Sequence, residues 1–345
     1  MKKTLLAVVL PTLFVTGANA AEIFKNEEGS AEFYGQIRTE ITSINSDDVR
    51  TTKLNTSGSR GGINAKYNVN DDLYVHGLVE FGLPGNGEVA GRLHYAGFGG
   101  DWGKVSLGRQ YTTQDEFYGA DVSYYFGGSG IRYLASASFK HDNYIKYRFD
   151  GENFAIGAGY GLDENKTAPS TAQLFGSANF GNFDIILGVA TDKQEDIVVE
   201  NTDLGDLEST AFTGSLGYTF EKAYVQGTYY NIEYKLQNLK VKEDALSVAG
   251  TYSVLDNAKV YGGFEYVKHD ALTLAQAIAP EATDNSKNLY AGIVYHLNDW
   301  SRIWIEGQYA DGTTLGGYSK SADKEFDATI VDGEFNGAVG FRVYW

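Results

Sequence analysis

Apolar and polar residues alternate with a period of two along almost the whole chain, a pattern that fits half-buried strands and not amphipathic helices. In AEFYGQIRTEIT (31–42), Phe33, Gly35, Ile37 and Ile41 fall on one face and Tyr34, Gln36, Arg38 and Glu40 on the other. In DLYVHGLVEF (72–81), Leu73, Val75, Val79 and Phe81 oppose Tyr74, His76 and Glu80. Comparable runs lie near 57–67, 89–99, 103–111, 140–149, 153–162, 171–180, 182–191, 209–220, 222–233, 243–253, 257–268, 287–297, 300–310 and 334–345, which makes sixteen.

The connections alternate in length. Seven short turns, such as NVNDD (68–72), GGDWG (99–103) and FGN (180–182), are interleaved with eight long polar links near 43–56, 82–88, 112–139, 163–170, 192–208, 234–242, 269–286 and 311–333. That count suits sixteen antiparallel strands with both chain ends on the short-turn side. A soluble β-sandwich also alternates, but it has no reason to segregate short turns from long loops. Here the polar face also carries charges such as Arg38, Glu40, Glu80 and Arg92. The expected fold is all-β, a 16-stranded antiparallel transmembrane β-barrel, whose short turns and long external loops lie on opposite sides of the membrane. Composition agrees: 42 glycines, 25 tyrosines and 19 phenylalanines stand beside four prolines and one methionine. No run of 18 apolar residues follows the first twenty, which removes the helical membrane proteins and leaves the barrel, whose two faces average to neutral hydropathy.

Lys2 and Lys3, the apolar residues 5–15 and Ala18-Asn19-Ala20 match a secretory signal peptide, so residues 1–20 are expected to be removed and 21–345 to form the barrel. The formal charge of −17 becomes −19 without Lys2 and Lys3, which argues against nucleic acid as a partner. With no cysteine, neither disulfides nor thiolate metal sites are expected. The five histidines are scattered, and no GxSxG, HExxH or phosphate-binding glycine loop occurs, so no catalytic residue, cofactor or metal ligand is assigned. His76 and His94, in step with Glu80 and Arg92, are expected to line the interior.

The final segment NGAVGFRVYW (336–345) alternates to its last residue, with Val339, Phe341, Val343 and Trp345 on one face. Together with FYGQIRTE, GRLHYAGFGGDWGKVSLGRQYTTQDEFYG (91–119) and FGG (126–128), it makes the chain resemble the general diffusion porins of Gram-negative bacteria, especially the Vibrio-type members. The resemblance covers essentially everything after residue 20. It implies a homotrimer in the outer membrane, with water-filled channels for passive diffusion of ions and small hydrophilic solutes. It also implies a third external loop folded inward, so that DEFYGADVSYYFGGSG, within about 112–133, narrows the pore. By the same resemblance Arg60, Arg92 and Arg109 fall on the family's basic wall ladder, and Arg132 follows the loop. Gln36 replaces the first-strand basic residue, with Arg38 two positions on. Asp121 matches a loop acid, whereas Tyr125 stands where a glutamate is usual. Glu116 in the loop and Glu80 on the inward face complete the expected constriction.

Strand arginines are independently expected to point inward, because one on the lipid face near the midplane costs about 2–4 kcal/mol. Arg109 shares its face with Leu107 and Val105, so the reading requires the loop to cover Leu107. Two alternatives to general diffusion are a solute-specific porin, marked by a lumen ladder of aromatics, and a barrel serving mainly as an adhesin or structural protein. The acids of the external loops, for example Glu195, Asp196, Glu200, Asp203 and Asp206, or Asp323, Glu325 and Asp327, suit bridging to lipopolysaccharide through divalent cations.

Overall fold

A computed structural model describes residues 20–46, 49–56, 58–83, 88–117, 119–127, 140–163, 169–195, 198–199, 202–203, 205–273, 280–314 and 329–345. A short arm, β1 (Ala21–Lys25), folds back on β2 (Gly29–Ser46) through a turn in which the Asn26 side-chain oxygen accepts from the Glu28 and Gly29 amides. The next stave is split into β3 (Val49–Asn55) and β4 (Ser59–Asn68), both paired with β2. There follow β5 (Tyr74–Leu83), β6 (Ala90–Gly100), β7 (Gly103–Tyr111) and a single helical turn, α1 (Thr113–Glu116). Then come β8 (Lys140–Asp150), β9 (Phe154–Gly161), β10 (Ser170–Phe180) and β11 (Phe183–Gln194). A small ribbon, β12 (Val198–Val199) with β13 (Thr202–Asp203), precedes β14 (Leu207–Thr219), β15 (Ala223–Leu236) and β16 (Leu239–Leu255). The last are β17 (Ala258–His269), β18 (Asn285–Asn298), β19 (Ser301–Thr314) and β20 (Thr329–Tyr344).

Each stave pairs antiparallel with its neighbours in sequence, and β20 returns to β2 from Gln36↔Tyr344 to Ser43↔Gly337. With β3 and β4 counted as one and β1, β12 and β13 set aside, sixteen staves close a barrel. Closure leaves no sheet edge with unpaired N–H and C=O groups, which hydrocarbon would punish.

The alternation read from the sequence maps onto the two sides of the wall. Ile41 is 53% exposed while Glu40 beside it is fully buried, and Val79 is 59% exposed beside Glu80 at 4%. A fold that turns aliphatic residues outward and glutamates inward is made for a lipid surround and a polar interior. The end of the chain is tied into the wall: the Gly35 amide donates to the Trp345 carbonyl (2.9 Å), and a Cβ at position 35 would lie 2.3 Å from the Trp345 ring.

Three local expectations change. The links 43–56 and 234–242 are largely strand: pairing runs to Ser46↔Val49 and to Leu236↔Leu239, the latter closed by Gln237 at φ 53°. Polar cross-strand contacts such as Lys240–Glu233 (3.0 Å) and Arg50–Ser43 (3.2 Å) sustain these hairpins beyond the apolar band. His94 faces outward, not inward. A bulge puts Leu93 opposite Glu80 but Gly91 opposite Phe81, which shifts the parity of β6 so that His94 stands opposite Val79 and Tyr95 opposite Leu78.

Candidate functional site

The interior wall from β2 to β6 carries paired charges. Glu80 on β5 accepts from Arg92 Nε at 2.5 Å and from the Tyr34 hydroxyl at 3.1 Å, with Arg60 Nε at 3.5 Å. Arg92 also reaches the Tyr111 hydroxyl. Two strands away Arg38 is paired with the buried Glu40, and Gln36 donates to the Gly58 carbonyl at 2.7 Å. A cation of this kind is held in place by hydrogen bonds to a charged acceptor, each contributing about 1.5–3 kcal/mol. The expected residues Arg38, Arg60, Arg92 and Glu80 are thereby brought together on the interior face.

The segment that follows β7 makes contacts with staves far from it. In its first half, the Thr113 amide donates to the Tyr144 hydroxyl (3.0 Å) and the Gln114 amide to Gln173 Oε1 (2.8 Å). Glu116 is buried between Lys146 and Arg148 of β8, and Phe117 stacks on Phe175 of β10 with ring centroids 6.2 Å apart. In its second half, the Gly119 amide donates to Tyr230 (3.2 Å) and the Ala120 amide to Thr228 (2.8 Å), both on β15. Glu306 of β19 then accepts from three successive amides, Tyr124 at 2.7 Å, Tyr125 at 3.2 Å and Phe126 at 2.6 Å, and from the Tyr261 hydroxyl at 2.9 Å. Asn288 donates to the Phe126 carbonyl at 2.9 Å. Val122, Tyr124, Tyr125 and Phe126 join Tyr261, Tyr290, Val294 and Trp304 in one apolar cluster. Burial pushes the hydroxyls of Tyr124 and Tyr125 above the ordinary phenol value; Arg302 opposes this at the first, while at the second Glu40 adds to it and Arg38 opposes it.

Other expected site residues sit differently. Asp121 turns Oδ1 to the amide and hydroxyl of Ser123, at 2.9 and 2.7 Å, and so braces its own loop. Tyr125 lies over the arginine wall, with the Arg38 guanidinium 6.0 Å from its ring centre. Arg109 is on the outer face, a correction to its expected place in the ladder. It shares its face with Leu107, which is 47% exposed and not covered by the loop, and it stands opposite His94. The cost of that position is met by an ion pair with Asp142, itself on the outer side, and by a 2.9 Å bond to the Arg92 carbonyl. Gly108 at φ 129° and the irregular pairing with β8 accommodate it. Arg132 and Gly128 lie outside the described residues.

Sequence reading missed Glu306, Lys146, Arg148, Arg302 and Arg342. The polar parity of β19 and β20 put Arg302, Glu306 and Arg342 inward, and a glutamate between Trp304 and Gln308 in IWIEGQ was the one signal for a buried acceptor.

Comparison with known proteins supplies a context for this geometry. The sequence model of a family described as Gram-negative porin matches residues 4–315. In vitro folded OmpT, an outer membrane protein of Vibrio cholerae, superimposes with a TM-score of 0.80 at 37% identity, covering 94% of this chain and all of that one. A trimer form of the same protein gives a TM-score of 0.79 at 37% identity, over 92% of this chain and all of that one. A monosaccharide porin from a Halomonas species is 25% identical, over 90% of this chain and 95% of its own length.

Proposed function

Because this chain belongs to the Gram-negative porins, barrels through which small solutes diffuse across the outer membrane, we propose that the segment after β7 is the size filter of its channel. The chain is a channel and not an enzyme. Sixteen staves leave an aqueous lumen that eight would fill with side chains. A loop folded inward across that lumen is supported above all by one observation: Glu306 on β19 accepts three consecutive amides from a segment that begins at the end of β7. On this reading solutes pass along the wall lined by Arg38, Arg60 and Arg92, beside the loop edge where Tyr125 rests against Arg38. Glu80 fixes two of those arginines, Glu116 and Asp121 brace the loop, and Arg132 follows it. Arg109 belongs to the outer surface.

Residues 1–20 serve as a cleaved export signal, and the functional unit is a homotrimer, as a trimer form exists for the Vibrio cholerae relative. The loop acids engage lipopolysaccharide through divalent cations. The test is single-channel recording from the refolded protein in planar bilayers. Conductance steps in threes support the trimeric channel, whereas folded barrels that insert and never conduct would sink it.

A second reading, selectivity for sugars, is favoured by the ring cluster at the loop. Tyr124 and Tyr125 are half-buried and are backed by the buried rings of Tyr261 and Trp304, and a half-exposed aromatic face is one on which a sugar ring stacks. A saturable uptake rate for monosaccharides into proteoliposomes, against a linear rate for glycerol, would establish it; linear rates for both would remove it.

A further inference from the structure

Below the Glu306 clasp, toward the short-turn side, the wall carries a row of basic residues. Strand pairing sets His296 opposite Arg302, Arg302 opposite Arg342, and Arg342 opposite Arg38, a row across four adjacent staves. All four share the interior face, since Tyr295, Ile303, Phe341 and Ile37 beside them are exposed to the outside. Like charges directly opposite one another on neighbouring strands repel. Arg38 has Glu40, but Arg302 and Arg342 have no ion pair among the described residues, and the Nε of each is buried with no hydrogen-bond partner there. What they have instead is aromatic faces: Arg302 lies 4.4 Å from the Tyr124 ring centre and 5.3 Å from that of Tyr344, and Arg342 lies 6.0 Å from Tyr344. Stacking orients a guanidinium and leaves its N–H edge free to donate. The nearby carboxylate of Glu306 is already engaged by the loop amides and Tyr261.

Resting on the porin reading, we propose that Arg302, Arg342 and Arg38 form an oxyanion site on the periplasmic side of the constriction, which takes phosphate or a phosphorylated solute in passage. A tetrahedral oxyanion accepts from several guanidinium edges at once, which relieves the repulsion along the row. It also gives an acidic protein, of net charge −17, a local station for anions.

The probe is inorganic phosphate, used on refolded barrels by titration calorimetry in detergent and by conductance in bilayers, at constant ionic strength. Wild type is expected to bind phosphate saturably and to show a phosphate-dependent block of chloride current. Arg302→Gln with Arg342→Gln should weaken both by about tenfold or more and shift the reversal potential toward cations, and Arg342→Lys should retain most of the binding. Wild-type channels that conduct but neither bind phosphate nor respond to it overturn the site and leave the porin intact. A double variant that binds phosphate as tightly as wild type overturns the site equally. Phosphate binding without any conduction would keep the site and remove the channel reading. If the double variant does not fold, the wild-type titration still decides, with Arg342→Lys as its partner.

Discussion

The segment after β7 is held at two places by opposite means. Near its start the loop supplies the charge: Glu116 enters the wall and meets Lys146 and Arg148. Near its far end the wall supplies the charge: Glu306 collects three backbone amides and a tyrosine hydroxyl. The first anchor places its charge on one side chain, and the backbone amides beside it, of Thr113 and Gln114, find neutral acceptors in Tyr144 and Gln173. The second grips the backbone itself over Tyr124, Tyr125 and Phe126, and so sets the path of the chain where the channel is proposed to be narrowest. An anchor of the second kind tolerates changes in the loop's side chains, because amides are common to all residues but proline.

The largest break in this comparison is Glu306→Ala. It orphans three amides, that of Phe126 buried and those of Tyr124 and Tyr125 part-buried, and a buried one costs about 1–3 kcal/mol when left without an acceptor, so the far end should detach. Single-channel conductance is expected to rise with flickering, and limited chymotrypsin digestion should cut at Tyr124 to Phe126; unchanged conductance with full protease resistance would refute the clasp. Glu116→Gln comes next. Lys146 loses its carboxylate partner and Arg148 keeps Asp150, so the cost is about 3 kcal/mol, toward the low end for a broken buried pair. Thermal unfolding should shift down while conductance changes less than in Glu306→Ala. If the order of the two conductance effects were reversed, the near anchor would be the one that sets the pore.

The contrast also marks what could be read from the chain. The sixteen strands were legible because lipid outside and water inside impose strict alternation, and alternation survives in the sequence whatever the individual side chains are. The one-residue bulge in β6 was not legible: no residue type announces it, and it inverts the face of His94 and, through pairing with β7, leaves Arg109 outside. The wall cations Arg38, Arg60 and Arg92 were readable by parity and resemblance together. Glu306 was not, because its role depends on amides that lie some 180 residues away in sequence and carry no side-chain signature.

A smaller effect is expected where the far anchor meets the aromatic cluster. Trp304 lies flat against Gly340 of the next strand, where a Cβ would stand 2.1 Å from its ring. Gly340→Ala should therefore push Trp304 against Tyr124 and Tyr125, costing about 1–3 kcal/mol by overpacking. Intrinsic fluorescence should show a changed tryptophan environment together with a modest fall in conductance. Fluorescence identical to wild type would mean that the ring does not support the loop.

The smallest effect is assigned to the loop acid that family resemblance makes most prominent. Asp121 commits Oδ1 to the amide and hydroxyl of Ser123, a local bracing that an amide oxygen can reproduce. Asp121→Asn should cost less than about 1 kcal/mol and leave the loop clasped by Glu306. Reversal potential in a salt gradient should move less than in Arg38→Gln, because Arg38 belongs to the arginine wall of the proposed passage, beside Tyr125, whereas the carboxylate of Asp121 is turned into its own turn. A shift in Asp121→Asn that matched or exceeded the Arg38 variant would show that the remaining Asp121 oxygen faces the ion path. The loop would then contribute charge to the filter, in addition to shape.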